Sequence, residues 1–209
     1  MTYLNTEVIE VAILENFELK DAEETLIDKY RIRKLNEWEK EQLMKLGRFE
    51  KLGIMVGPHL ILPLNMWCIE VNYGVQKKRL HDLGSDIDEF IKVMRLFKGG
   101  SVSRGAVLRY SKIGNIFSVN LATWKNIQIS VPRSIYYVLN QNEIDSLSQL
   151  WELYNRVKDK LPDQLKLSLR WFEKSYEELE VEDKILDLDI AFDAMFSGYK
   201  YFNYVSNLR

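Results

Sequence analysis

Cysteine and histidine are scarce in this sequence. Its 209 residues include one cysteine, Cys68, and two histidines, His59 and His81. A single cysteine excludes an internal disulfide and any cysteine-rich metal site. Cys68 lies in the run 66–71, which has the pattern of a buried strand. We therefore expect Cys68 to be a small core residue and not a reactive thiol.

Long apolar runs and a secretory leader are also lacking. No stretch of the length that crosses a membrane, about 18 residues, is both apolar and uncharged. The first ten residues carry Glu7 and Glu10, where a signal peptide needs a basic start and then an apolar run. We therefore expect a cytoplasmic protein with no membrane partner. With 46% hydrophobic residues, the chain can bury a substantial core.

The charges are unevenly distributed, although the net charge is only −2. Residues 74–137 carry eleven basic and four acidic side chains, a net charge of +7. Residues 141–209 carry nine basic and fourteen acidic side chains, a net charge of −5. The basic segment predicts phosphate contacts with RNA, and an internal charge match with the acidic end is the alternative. The candidate nucleic-acid-binding residues are Lys77, Lys78, Arg79, Arg104 and Arg109.

The first 139 residues mix short strands and short helices. Apolar alternation and β-branched content predict strands over residues 7–14, 30–33, 66–73, 102–110, 116–121 and 127–131. Asn36 has the position of a helix N-cap, with Glu39 at the spacing of a capping box. A second helix is predicted over Asp86–Phe97, behind Ser85 as its cap. The fold class predicted for residues 1–139 is therefore an α+β module with an antiparallel sheet.

Residues 140–209 have helical periodicity throughout. Helices are predicted over 143–161, 163–179 and 181–196, with Pro162 at the first break. In the second helix an apolar stripe comprises Leu165, Leu169, Phe172, Tyr176 and Leu179. In the third helix the corresponding stripe comprises Ile185, Leu188, Phe192 and Met195. We expect each stripe to be buried against another helix.

Acidic residues of the third helix form two pairs at helical spacing. Asp183 with Asp187, and Asp189 with Asp193, each lie four residues apart and so share a helix face. Such pairs can hold a divalent cation, but no histidine or second carboxylate helix with metal spacing accompanies them. We expect a solvated acidic face, or partners for basic residues of a neighbouring helix, and assign no metal or cofactor.

Two runs in this helical part carry a family resemblance. They are Leu169-Arg170-Trp171-Phe172-Glu173-Lys174-Ser175 and Glu182-Asp183-Lys184-Ile185-Leu186-Asp187-Leu188-Asp189-Ile190-Ala191-Phe192-Asp193-Ala194-Met195-Phe196. Their order resembles the ApeA-like branch of the HEPN family, in which an aromatic-rich helix ending in serine precedes an acidic and apolar helix. The resemblance places Arg170, Asp187 and Asp193 at family-motif positions. It implies an all-helical HEPN-like bundle over residues 140–209.

The resemblance also implies a function and a departure from it. Such bundles often dimerise, and their active members cut RNA without a metal, using an Arg followed four to six residues later by a His. Neither His59 nor His81 has an Arg at that spacing, and the chain stops at Arg209 before a helix that would carry the pair. We expect either a fragment of a longer protein or a form without the catalytic helix, and we assign no catalytic residue.

The expected function is that of a catalytically incomplete HEPN-like protein from an RNA-targeting, defence-type family. It would bind RNA or a partner protein. The alternative is a protein-interaction or dimerisation module with no nucleic-acid role, because a bundle that lacks its last helix leaves an apolar groove.

Overall fold

A computed structural model describes residues 7–49, 66–75, 85–114, 116–123, 136–178 and 180–196. The chain divides into two compact units. The sheet unit comprises Met1–Gln128 and Arg133–Trp151, and the helical unit comprises Ile129–Pro132 and Glu152–Arg209. The division falls inside a helix, between Trp151 and Glu152. The boundary that the sequence predicts, between residues 139 and 140, precedes this division.

The described strands belong to the sheet unit. They are β1 (Glu7–Glu15), β2 (Phe17–Lys20), β3 (Glu24–Ile27), β4 (Tyr30–Lys34), β5 (Trp67–Val75), β6 (Ser103–Ile113), β7 (Ile116–Thr123) and β8 (Tyr137–Asn140). Six of them form an antiparallel sheet in the order β3-β4-β5-β1-β6-β7, and β2 pairs with β8 in parallel. The α+β class with an antiparallel sheet is thereby confirmed. The parallel pair and β3 were not predicted, because four-residue strands are too short for a clear alternation.

The described helices are α1 (Glu37–Phe49), α2 (Ser85–Phe97), α3 (Ile144–Val157), α4 (Asp163–Ser175) and α5 (Val181–Phe196). All five lie within the stretches that the sequence predicts, but α3, predicted over 143–161, ends at Val157 and a 3₁₀ turn follows over Lys158–Lys160. The second helix of the helical part was predicted to reach Leu179, but α4 ends at Ser175. Its last turn tightens, because the amides of Tyr176 and Glu177 donate to the carbonyls three residues before them. The strand predicted over 127–131 lies outside the described residues.

One face of the large sheet packs against α1. Ile9, Val11 and Ile13 of β1 form a buried cluster there with Leu43 of α1. The helix begins as predicted: the Glu39 amide donates to Asn36 Oδ1 at 2.9 Å, and the Asn36 amide donates to Glu39 Oε2 at 3.0 Å. These two reciprocal bonds confirm the capping box.

Glu39 is also the centre of a buried polar network on that face. The Arg33 guanidinium donates to both of its oxygens, at 2.8 and 2.6 Å, and Tyr110 Oη donates to it at 3.1 Å. Arg33 Nε donates to Glu70 at 2.7 Å. Burial by itself lowers the pKa of Arg33, but its hydrogen bonds to Glu39 and the nearby carboxylate charges raise it above the ordinary value. The network therefore holds a fully charged guanidinium inside the fold.

The opposite face of the sheet carries an aromatic cluster. Tyr30 stacks on Phe90 of α2 with ring centroids 4.3 Å apart, and Trp151 packs edge-on to both rings at 5.2 Å. Trp151 Nε1 donates to Asp28 Oδ2 at 3.0 Å. Asp28 has a positive φ of 55° in the two-residue turn between β3 and β4, a conformation that Asp tolerates better than most residues. These contacts hold the first part of α3 in the sheet unit.

Cys68 is expected to be unreactive in the native protein. Its side chain is fully buried and its Sγ donates to the Arg33 carbonyl oxygen at 3.2 Å. Burial raises the pKa of the thiol to about 12, against the opposing charge of Arg33. At pH 8 the thiolate that attacks disulfide reagents is therefore almost absent. Titration with Ellman's reagent should release one thiol per chain in guanidinium and almost none without denaturant. Rapid modification of the native chain would contradict the burial of Cys68.

Candidate functional site

The predicted nucleic-acid-binding residues are only partly described by the structure. Lys77, Lys78 and Arg79 lie outside the described residues. Arg104 of β6 forms an ion pair with Asp88 of α2, with Nη1 2.9 Å from Oδ2, and its side chain is 25% exposed.

Arg109 lies in the interior of the sheet unit. Its Nε donates to Glu10 Oε2 at 2.7 Å, and its Nη2 contacts the same oxygen. The two residues are paired across β1 and β6, and both are buried. A buried guanidinium that is held by a carboxylate cannot reach a phosphate at the surface unless the sheet opens. Its position argues against Arg109 as a surface phosphate contact.

The three family-motif residues occupy different environments in the helical unit. Arg170 is exposed on α4, and Asp193 is exposed on α5. Asp187, which is also on α5, is buried. The acidic pairs of α5 are therefore split: Asp183 and Asp189 are exposed as well, whereas Asp187 faces the interior. No cluster of three or more potential metal ligands occurs among the described residues.

An ion pair joins α4 to α5 at the buried carboxylate. Lys174 Nζ lies 3.0 Å from both Asp187 oxygens and 2.9 Å from Glu178 Oε1. The same ammonium lies 4.9 Å from the centre of the Trp171 ring, a cation–π distance. Hydrogen bonds to Glu178 and Asp187 raise the pKa of Lys174. Lys174 therefore stays charged at neutral pH and fixes α5 against α4.

The other buried residues of α4 and α5 are small. They are Ser168 and Ser175 in α4 and Ala191 and Ala194 in α5. Small side chains let two helix backbones approach closely. Ser175 Oγ donates to the Phe172 carbonyl oxygen at 2.7 Å, so its hydroxyl is satisfied within its own helix. The two helices thus pack through a narrow contact of small residues, with one ion pair that joins the buried Asp187 to the partly exposed Lys174.

The apolar stripe of α5 is exposed, and the prediction that it is buried against another helix was wrong. Ile185 is 62% exposed, Phe192 58% and Met195 43%. Val181 continues the stripe at its amino end and is exposed, and Leu188 is half-buried. The stripe is exposed because α5 buries a different face, which carries Asp187, Ala191 and Ala194. We call Val181, Ile185, Leu188, Phe192 and Met195 the α5 apolar seam.

The seam has the spacing of a coiled-coil contact surface. Its members follow one another at intervals of four, three, four and three residues. This is the a and d pattern of a heptad, which lines one side of a helix. Phe196 follows the seam, and its ring stacks on Phe192 with centroids 6.4 Å apart. Together these side chains expose roughly 500 Å² of apolar surface, a size typical of the largest patch on a monomer, which is often functional.

The sequence identified the members of the seam except Val181, but missed the buried contact between α4 and α5. Lys174, Ser168 and Ser175 were not singled out as interface residues, and neither were Ala191 and Ala194. The available signal was the interval of seven residues between the two serines and of three between the two alanines, which places each pair on one helix face. These small residues form a weaker pattern in the sequence than the stripe of large apolar residues.

Comparison of the chain with protein families, with characterised proteins and with solved structures found no match. None of the described helices is long and apolar enough to cross a membrane.

Proposed function

We propose that this chain is a catalytically incomplete HEPN-like protein that acts by binding a helix of a partner protein along the α5 apolar seam. The observation that carries this proposal is the exposure of a heptad stripe on a helix whose small residues are buried. The resemblance of residues 169–175 and 182–196 to the ApeA-like HEPN branch supports the class. Within these 209 residues no Arg is followed four to six residues later by a His.

The packing of α5 on α4 favours helix docking. This packing leaves the seam exposed, and the Lys174–Asp187 ion pair holds α5 against α4. A seam that is already ordered loses less conformational entropy when a partner binds. An amphipathic helix presents its own apolar stripe at matching intervals, so it can insert side chains between those of the seam.

The described residues give weaker support to RNA as the ligand. Of the five basic candidates, the two that the structure describes form ion pairs, Arg104 with Asp88 and Arg109 with Glu10. Phosphate binding would have to replace a carboxylate at each of them. A protein helix is therefore the ligand class that the exposed surface of the described residues favours.

A synthetic helix should bind the full chain through the seam. The probe is a fluorescent three-heptad peptide with leucine at positions a and d and glutamine at e and g, used below its self-association concentration. We expect a Kd on the order of 10 µM by fluorescence anisotropy. Phe192→Ser should weaken binding about 30-fold, because a large central aromatic anchor contributes about 2 kcal/mol.

The matched control is Leu153→Ser, which replaces an exposed apolar residue of α3 and should leave the affinity unchanged. Circular dichroism should show that both variants keep their helices. Sedimentation of the unliganded chain checks for a second copy on the seam: a dimer that Phe192→Ser dissociates would support the interaction role, with a second copy as the partner. No peptide binding by a monomeric chain, together with a salt-sensitive affinity for single-stranded RNA, would overturn the proposal in favour of nucleic-acid binding.

A further inference from the structure

We infer that the partner helix carries lysine or arginine residues beside its apolar stripe, so that the α5 apolar seam is a receptor for basic amphipathic helices. This inference rests on the interaction function proposed above and names the chemical class of the partner. The observation behind it is the charge along the open edge of the seam.

The two edges of the seam differ in charge and in accessibility. If Ile185 and Phe192 occupy positions a, then Glu182 and Asp189 occupy positions e, and both carboxylates are exposed. Asp193, also exposed, lies on the same side of the helix. At the opposite edge, position g holds Ala191, which is buried, and Lys184, which is half-buried. The next position e is Phe196, which is exposed and apolar. The edge that a partner can approach is therefore acidic at its first two e positions and apolar at the third.

An acidic edge selects the partner by charge. In paired helices the residues at e and g lie beside the apolar contact and set partner choice through ion pairs. A lysine or arginine there places its charge near Glu182 or Asp189 while its methylene stem covers apolar surface. A partner with acidic flanks would meet like charges at the same positions.

A second copy of this chain fits the seam poorly. In an antiparallel pair the e edges face each other, so that Glu182 and Asp189 would oppose the same residues of the other copy. In a parallel pair the acidic edge of one copy faces the g edge of the other, where Lys184 is half-buried and Ala191 is buried. The antiparallel pair therefore brings like charges together, and the parallel pair needs an edge that is largely covered within each copy.

The test compares three peptides that share the leucine heptads of the neutral probe. Positions e and g carry lysine in the basic peptide, glutamate in the acidic peptide and glutamine in the neutral one. At about 50 mM salt we expect the full chain to bind the basic peptide about fivefold tighter than the neutral peptide, and the acidic peptide about fivefold weaker. At about 500 mM salt these differences should fall below about twofold, because the charges are exposed and screened.

Charge variants of α5 separate a local effect from overall charge. Glu182→Gln with Asp189→Asn should remove the preference, so that the basic and neutral peptides bind this variant with equal affinity. Glu182→Lys with Asp189→Lys should reverse the preference toward the acidic peptide. The matched control is Glu152→Gln with Asp163→Asn, which makes the same change of net charge on α3 and α4 and should keep the preference.

The outcomes distinguish this inference from the proposed function. Binding of the neutral peptide without a preference for the basic one would overturn the inference and keep the interaction role. Loss of the preference in the Glu152→Gln and Asp163→Asn control would also overturn it, because net charge would then be the cause. A dimer of the unliganded chain that Phe192→Ser dissociates would assign the seam to a second copy and overturn the inference. Failure of all three peptides to bind a monomeric chain would remove the proposed function itself.

Discussion

Replacing Glu39 with alanine is expected to lower the free energy of unfolding of the sheet unit by about 3–4 kcal/mol. The substitution removes both hydrogen bonds from the Arg33 guanidinium to Glu39, and it leaves that largely buried cation with Glu70 as its remaining carboxylate partner. It also removes the capping box at Asn36 and the acceptor of Tyr110 Oη. Urea denaturation followed by tryptophan fluorescence measures the loss, and hydrogen exchange of the β1 and β5 amides assigns it to the sheet unit.

The control for this change lies on the same helix. Glu37 is in the first turn of α1, is almost fully exposed and pairs with Lys40. Glu37→Ala should cost about 0.5 kcal/mol, because exposed ion pairs and helix-dipole interactions are weak. Equal losses for Glu37→Ala and Glu39→Ala would show that the buried network does not contribute to stability.

Replacing Arg109 with methionine is expected to cost about 3–5 kcal/mol, because the Glu10 carboxylate would remain buried without its cation. Arg104→Met, on the same strand, should cost about 0–1 kcal/mol, since its partner Asp88 is half exposed and can be hydrated when the cation is lost. The double variant Glu10→Leu with Arg109→Met should recover most of the loss, because apolar residues of similar volume often replace a buried ion pair without net cost. Urea denaturation of the wild type, Glu10→Leu, Arg109→Met and the double variant measures the coupling energy of the pair.

The same variants test the role that the sequence suggested for Arg109. If Arg109 were a phosphate contact, Arg109→Met would weaken RNA binding at low salt and leave stability intact. We expect the opposite result, a loss of stability that Glu10→Leu relieves. A variant as stable as the wild type with a reduced affinity for RNA would restore Arg109 to the nucleic-acid-binding candidates.

Much of the fold could be predicted because its signals are local. The capping box at Asn36 and Glu39 involves residues three apart, and it forms as the spacing predicts. The strand that contains Cys68 has continuous apolar and β-branched character, and it lies in the middle of the sheet. Local signals failed for β2 and β8, which are short and are stabilised by pairing with each other across the sequence.

The candidate site could be predicted only in part, because the burial of a side chain depends on which face of its helix packs against the rest of the fold. The sequence placed Ile185, Phe192 and Met195 on one stripe of α5, and that grouping is correct. Whether the stripe lies inside could not be decided from periodicity, since α5 has a second face suited to close packing, with Asp187, Ala191 and Ala194. The Lys174–Asp187 pair stabilises packing through that second face.

Arg109 illustrates the same limit for charge. In the sequence it is one of eleven basic residues in a segment of net charge +7, and it resembles a phosphate contact. In the fold, strand register places it opposite Glu10, a residue ninety-nine positions earlier, and burial turns the two into an ion pair. A charge count along the chain contains no information about such a partner.

The sequence by itself determined the α+β class, the approximate positions of the helices, the single buried cysteine and the heptad stripe of α5. These properties follow from spacing and composition over a few turns or strands, where neighbours in sequence are neighbours in space. Only the tertiary structure decided that Arg109 is paired in the interior and that the α5 apolar seam remains at the surface. Both depend on long-range packing, because each side chain is buried or exposed by elements that the local sequence does not specify.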